Sequence, residues 1–150
     1  YELVDRRLAA AGLNWYEVSN WSRSAGQCRH NLGYWTGGQW WGAGPGAHSF
    51  IGDTRWWNVK HPGAYGQRLS QGASPVADLE RLDGRDRHVE QVMLGARLRD
   101  GLAISALSES ECRRAEGAAA DGLLTISGGR MVLTDRGRLL ADAVVRDLLD

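Results

Sequence analysis

The segment from Arg29 to Ser49 restricts most strongly how this 150-residue chain can fold. It holds a histidine, a phenol and an indole in the run Arg29–Trp35, and then the glycine-rich run Gly42–Gly46. Glycines allow tight turns that other residues avoid, while aromatic rings need neighbours to cover them. These are the parts of a site for a flat aromatic ligand, with or without a metal.

Hydrophobic spacing predicts a chain of mixed helices and strands. Helices are expected over residues 2–11, 31–36, 62–71, 86–99 and 107–120, with Ser108 and Glu111 as a capping box and a last helix capped by Thr134. Strands are expected over 13–18 and 40–43, and a hairpin over 123–126 and 131–133. Residues 19–27 are expected to be a loop. The predicted class is α/β followed by α+β.

The run Gly72–Pro75 holds a glycine and a proline that end the preceding helix, and it marks the expected domain boundary. We expect three parts, residues 1–60, a connecting segment 61–75, and residues 76–150. The last part reads as helix, helix, hairpin, helix, which is a winged-helix-like order.

Charge argues against a nucleic-acid partner. Residues 76–150 hold 11 basic and 14 acidic side chains, whereas duplex binding needs cationic contacts to phosphates. A helical cap over a cleft, or a surface that docks a partner, is therefore favoured over DNA binding. We also expect no transmembrane segment and a cytoplasmic location, since neither a long apolar run nor a signal peptide is visible.

His30 is the first candidate for a ligand site. Imidazole is a common axial ligand of haem iron, and Tyr34 and Trp35 are placed to stack on or flank a porphyrin. The alternative is that His30 caps the 31–36 helix and hydrogen-bonds its neighbours. Cys28 is a second candidate ligand through its thiolate, against the simpler reading as a buried or reduced thiol.

The run Gly42–Gly46 has two readings of equal weight. Its backbone N–H groups can cradle an anion, although Pro45 lacks one. The alternative is close packing at the end of a strand.

The pattern His-Asn-x-x-Tyr-Trp, which starts at His30, resembles the coproporphyrinogen III oxidase-like radical SAM proteins, and within them the haem chaperone branch. The runs Tyr16–Asn20, Gly44–Ser49 and Leu133–Arg138 also match that family. The resemblance covers nearly the whole chain. It implies that residues 1–60 are the end of a partial β/α (TIM-like) barrel and that 76–150 are the family's C-terminal domain.

The resemblance also implies function. His30 is implicated in haem binding, and Ala47 and its neighbours lie close to S-adenosylmethionine. The cysteines that hold the family's 4Fe–4S cluster are absent from the chain, so we expect it to be a C-terminal part without catalysis of its own. The implied function is binding of haem and its delivery to haem-requiring proteins. The alternatives are an oxygen-independent coproporphyrinogen III oxidase and a non-catalytic docking module.

Overall fold

The computed structural model describes all 150 residues, Tyr1–Asp150, as a mixed α/β structure. The helices are α1 Glu2–Ala10, α2 Arg29–Trp35, α3 Pro62–Ser70, α4 Gly84–Gly95, α5 Glu109–Ala120, α6 Asp135–Leu139 and α7 Ala141–Leu149. The strands are β1 Asn14–Glu17, β2 Asn20–Ser22, β3 His48–Ile51, β4 Thr54–Asn58, β5 Val76–Arg81, β6 Leu102–Ala103, β7 Leu124–Ser127 and β8 Arg130–Leu133. No helix combines the length and the apolar character that crossing a bilayer requires.

Contacts group the chain into two compact units. The first unit contains residues 1–37 and 89–150, and the second contains residues 38–88. The domain boundaries expected at 60 and 75 remain a prediction.

The core of the first unit lies between helices α4, α5 and α7 and a three-stranded antiparallel sheet of order β6-β8-β7. Val92 and Ala115 are completely buried there, and Met131 is 1% exposed. The β7–β8 hairpin turns through Gly128 and Gly129, both at positive φ, as the sequence predicts.

Side-chain caps fix two helix ends in the first unit. The Ser108 hydroxyl accepts from the Glu111 N–H at 3.3 Å, and the Glu111 carboxylate accepts from the Ser108 N–H at 2.7 Å, which confirms the capping box. Thr134 caps α6 through the Gly137 N–H at 3.0 Å. The expected single last helix is wrong, because the chain breaks at Leu140 (φ −114°, ψ 19°) into α6 and α7.

The N-terminal part of the first unit has a hairpin that the sequence analysis missed. Strand β2 lies in the segment expected to be a loop, and it pairs antiparallel with β1, where Trp15 faces Trp21. Three residues are too few to show a clear alternation, so the pairing could be found only from the tertiary structure.

The second unit is built on the antiparallel sheet β3-β4-β5, with α3 between β4 and β5 in the sequence. The strand expected over 40–43 is wrong, because Trp40 makes only an isolated bridge to Phe50. Two residues later, the Gly42 N–H donates to the side-chain hydroxyl of Ser49 at 2.9 Å instead of to the main chain of a neighbouring strand. All three strands of this sheet were missed.

Arg138 joins the two ends of the chain within the first unit. Its side chain is 3% exposed, and its guanidinium lies 2.8 Å from Asp5 and 2.7 Å from Asp135. It also donates to the Tyr1 hydroxyl at 3.1 Å and lies 4.5 Å above the Trp15 ring. A buried guanidinium is tolerated only where such partners replace water.

We expect Asp5→Asn to destabilise the protein in a pH-dependent way. The hydrogen bond from Arg138 holds the pKa of Asp5 below its usual value, so the ionised carboxylate stabilises the fold above that value. At pH 7 the variant should lose about 1–3 kcal/mol. As pH falls below about 4, Asp5 is protonated first in the unfolded chain, and the difference should shrink until pH has fallen through the lowered pKa of Asp5 in the folded protein.

Urea unfolding of both proteins between pH 7 and pH 2.5 measures this difference. Asp142→Asn is the control, since its carboxylate is 95% exposed and pairs with Arg97 at the surface. A difference between wild type and Asp5→Asn that stays constant with pH would contradict the assignment.

Gly137→Ala should destabilise the first unit, because a Cβ at this position would overlap the carbonyl oxygen of Leu123. We expect a loss of about 2 kcal/mol or more, which lowers Tm by roughly 5 °C. Gly117→Ala is the matched control on α5. Open space surrounds that position, so the change should be neutral or stabilise by about 0.5–1 kcal/mol. Equal Tm values for the two variants would refute this packing argument.

Candidate functional site

Helix α2 carries the candidate ligand residues and is short and exposed. It spans the seven residues Arg29–Trp35, and none of them is buried. Cys28 is its N-cap residue, and the thiol makes no capping hydrogen bond. The alternative role for His30 as a cap is therefore wrong, since His30 lies one residue inside the helix.

His30 and Tyr34 lie together on one side of α2. Residues four apart are neighbours on a helix surface, and here the Tyr34 hydroxyl is 3.1 Å from His30 Nε2. The two rings meet edge to face, with centroids 4.9 Å apart. His30 is exposed and Tyr34 is 38% exposed, so the pair faces solvent.

Trp35 does not share that side of the helix. At 3.6 residues per turn, it is rotated by about 140° from His30. Its side chain is half-buried, whereas His30 is exposed. The structure therefore brings two of the three predicted residues together and places the third around the helix.

A buried carboxylate beneath α2 was missed in the sequence analysis. Glu17 is completely buried at the end of β1, and its carboxylate accepts from Asn31 Nδ2 at 3.3 Å. Ser19 and Asn20 also donate to it, the Ser19 N–H at 3.2 Å. The matching run Tyr16–Asn20 was the available signal, since it holds three members of this cluster.

Ala47 lies in the second unit, at the end of the glycine-rich turn. Its carbonyl accepts from the Asn58 N–H at 3.0 Å, and its N–H donates to the Gly44 carbonyl at 3.4 Å. Asn58 is 4% exposed, and its Nδ2 also donates to Gly44 at 2.9 Å.

The glycine-rich turn uses its N–H groups within the chain. Gly42 donates to Ser49, Gly44 to the Tyr65 hydroxyl at 3.2 Å, and Gly46 to the Val59 carbonyl at 2.9 Å. A Cβ on Gly42 would overlap the carbonyl oxygen of His48. These contacts favour close packing over an anion cradle. No three His, Cys, Asp or Glu side chains are grouped to hold a metal ion.

Comparison with known proteins agrees with the predicted resemblance. The HemN C-terminal domain family model matches residues 82–140. "Heme chaperone HemW" of Mycobacterium tuberculosis H37Rv is 63% identical over 149 residues, which are 99% of this chain and 38% of that protein. "Heme chaperone HemW" of Bacillus subtilis is 31% identical over 96% of this chain and 40% of that protein. The chain thus spans about two-fifths of the length of these relatives.

A solved structure shares the fold. Coproporphyrinogen III oxidase (HemN) of Escherichia coli, a radical SAM enzyme, matches with a TM-score of 0.72 at 17% identity, over 98% of this chain and 39% of that one. At 17% identity this likeness shows the fold alone, whereas the matches at 63% and 31% identity also indicate the family. The chain belongs to the coproporphyrinogen III oxidase-like radical SAM family and corresponds to the C-terminal part of its haem chaperone branch.

Proposed function

We propose that this chain is part of a protein that binds haem and delivers it to haem-requiring proteins, with His30 as the ligand of the haem iron. The observation that carries the proposal is the exposed His30–Tyr34 pair on α2, within a chain 63% identical to a heme chaperone. His30 combines the nitrogen ligand that haem iron accepts with open access from solvent.

The Tyr34 hydroxyl gives this imidazole a defined orientation. Metal-binding histidines commonly donate their other ring N–H to a neighbouring oxygen, which fixes the tautomer. When His30 Nε2–H donates to Tyr34, the lone pair lies on Nδ1 and is free to bind iron. Ligation through Nε2 would instead require Tyr34 to move away.

The aromatic residues have different roles in this proposal. Tyr34 flanks the iron ligand, whereas Trp35 is positioned for contact with a porphyrin only from another side of the helix. We therefore assign Trp35 to stacking and affinity, and His30 to ligation.

The remaining family features belong to the same proposal. Residues 1–60 are the end of a TIM-like barrel, and residues 76–150 form a winged-helix-like domain. Ala47 is close to S-adenosylmethionine, while the 4Fe–4S cluster and the other cofactor ligands lie outside this chain. The order α4, α5, β7–β8 hairpin and then α6 and α7 supports the second assignment.

Haem titration of the complete protein tests the ligand. We expect His30→Ala to weaken binding about tenfold or more and to shift the Soret band, because the iron loses its imidazole. Trp35→Ala should weaken binding with little shift of the band, since it removes stacking alone. Cys28→Ser is the control for thiolate ligation and should resemble the wild type.

Two results would contradict the proposal. Loss of binding in Cys28→Ser, with His30→Ala unchanged, would move the ligand to the thiolate. A wild-type protein that binds no haem, and instead decarboxylates coproporphyrinogen III, would favour the oxidase, whose fold this chain shares.

A further inference from the structure

We propose that Glu17 is a positioning residue, whose buried carboxylate holds helix α2 through Asn31 and thereby fixes where His30 is presented. The consequence for haem rests on the proposed function above. The structural claim about α2 stands on its own contacts.

The first observation is that hydrophobic burial gives α2 little support, since only Leu32 and Trp35 among its apolar side chains are half-buried. The helix has seven residues and none of them is buried. Helices this short are unstable alone and depend on contacts with the rest of the protein. With so little apolar burial, a polar contact from another element contributes a larger share of what holds the helix in position.

Asn31 makes that contact next to the candidate ligand. Its Nδ2 donates to Glu17 Oε1 at 3.3 Å and lies 3.4 Å from the Tyr16 hydroxyl. Asn31 follows His30 directly, in the first turn of the helix. Rotation or displacement of α2 would break the contact and move His30 at the same time.

Glu17 is itself anchored on the opposite side. It forms a bridge with Leu98, and the neighbouring Tyr16 carbonyl accepts from the Arg99 N–H at 3.0 Å. Strand β1 is thus tied to the segment that follows α4. The Glu17 carboxylate therefore holds α2 at a defined place relative to β1.

The carboxylate also depends on its donors, since no Lys or Arg is found among its hydrogen-bond partners. Ser19, Asn20 and Asn31 donate to it instead. A buried acceptor is costly when a donor is lost and more costly beside a second negative charge. Changing Asn31 to an acid therefore breaks the contact with little change in side-chain volume.

Exchanging the carboxylate of Glu17 and the amide of Asn31 between the two positions tests this contact specifically. In Asn31→Asp, two carboxylates face each other, and α2 should be released. In the double variant Glu17→Gln/Asn31→Asp, an amide again faces a carboxylate with donor and acceptor reversed, and a half-turn of the Asn20 amide lets its oxygen accept from the new N–H group. We expect the single variant to weaken haem binding about tenfold and the double variant to recover to within about threefold of the wild type.

A second measurement does not depend on haem. Amide hydrogen exchange of the haem-free protein should become at least about tenfold faster in α2 of Asn31→Asp, and return towards wild type in the double variant. Exchange in α5 and α7 should not change. Gly137→Ala is the matched control for general destabilisation, because it should lower Tm without selective exchange in α2.

The outcomes separate the two proposals. Unchanged exchange of α2 in Asn31→Asp, or no recovery in the double variant, would overturn the role of Glu17. Faster exchange of α2 together with unaltered haem binding in His30→Ala would retain the positioning contact and reject His30 as the ligand. Faster exchange in α5 and α7 as well would show a general loss of structure and would also overturn the proposal.

Discussion

The first unit depends on the ion pairs and hydrogen bonds that the buried Arg138 guanidinium makes. It links Asp5 and Tyr1, near the start of the chain, with Asp135 in the last third. Asp5 also accepts from the Trp21 indole N–H at 2.6 Å, so the same carboxylate fixes the β1–β2 hairpin. Loss of the Asp5 carboxylate should therefore cost about 1–3 kcal/mol, because the buried guanidinium is left without its main acceptor.

The candidate site is connected to this framework through β1. The Trp15 ring lies against Arg138, and two residues later Glu17 meets Asn31 on α2. Strand β1 thus contacts a short exposed helix, on which His30 and Tyr34 lie. Ligand groups on such a scaffold are accessible while their orientation is maintained, which suits the proposed uptake and delivery of haem.

Local signals predicted part of this structure correctly. Caps and turns depend on residues close in sequence, so the capping box at Ser108, the Thr134 cap and the β7–β8 hairpin were predicted. Strands β2 to β5 were missed because their pairing is decided by tertiary contacts rather than by alternation. The motif at His30 located the helix, but only folding shows that Glu17, fourteen residues before Asn31, lies beneath it.

The proposed function requires a bond from a His30 ring nitrogen to haem iron. Pulsed electron paramagnetic resonance of the ferric haem complex, prepared with ¹⁵N-histidine, measures that bond directly. We predict a ¹⁵N hyperfine coupling from one imidazole, which is lost in His30→Ala and retained in Cys28→Ser. A spectrum without imidazole coupling in the wild type, or a coupling that persists in His30→Ala, would contradict the claim.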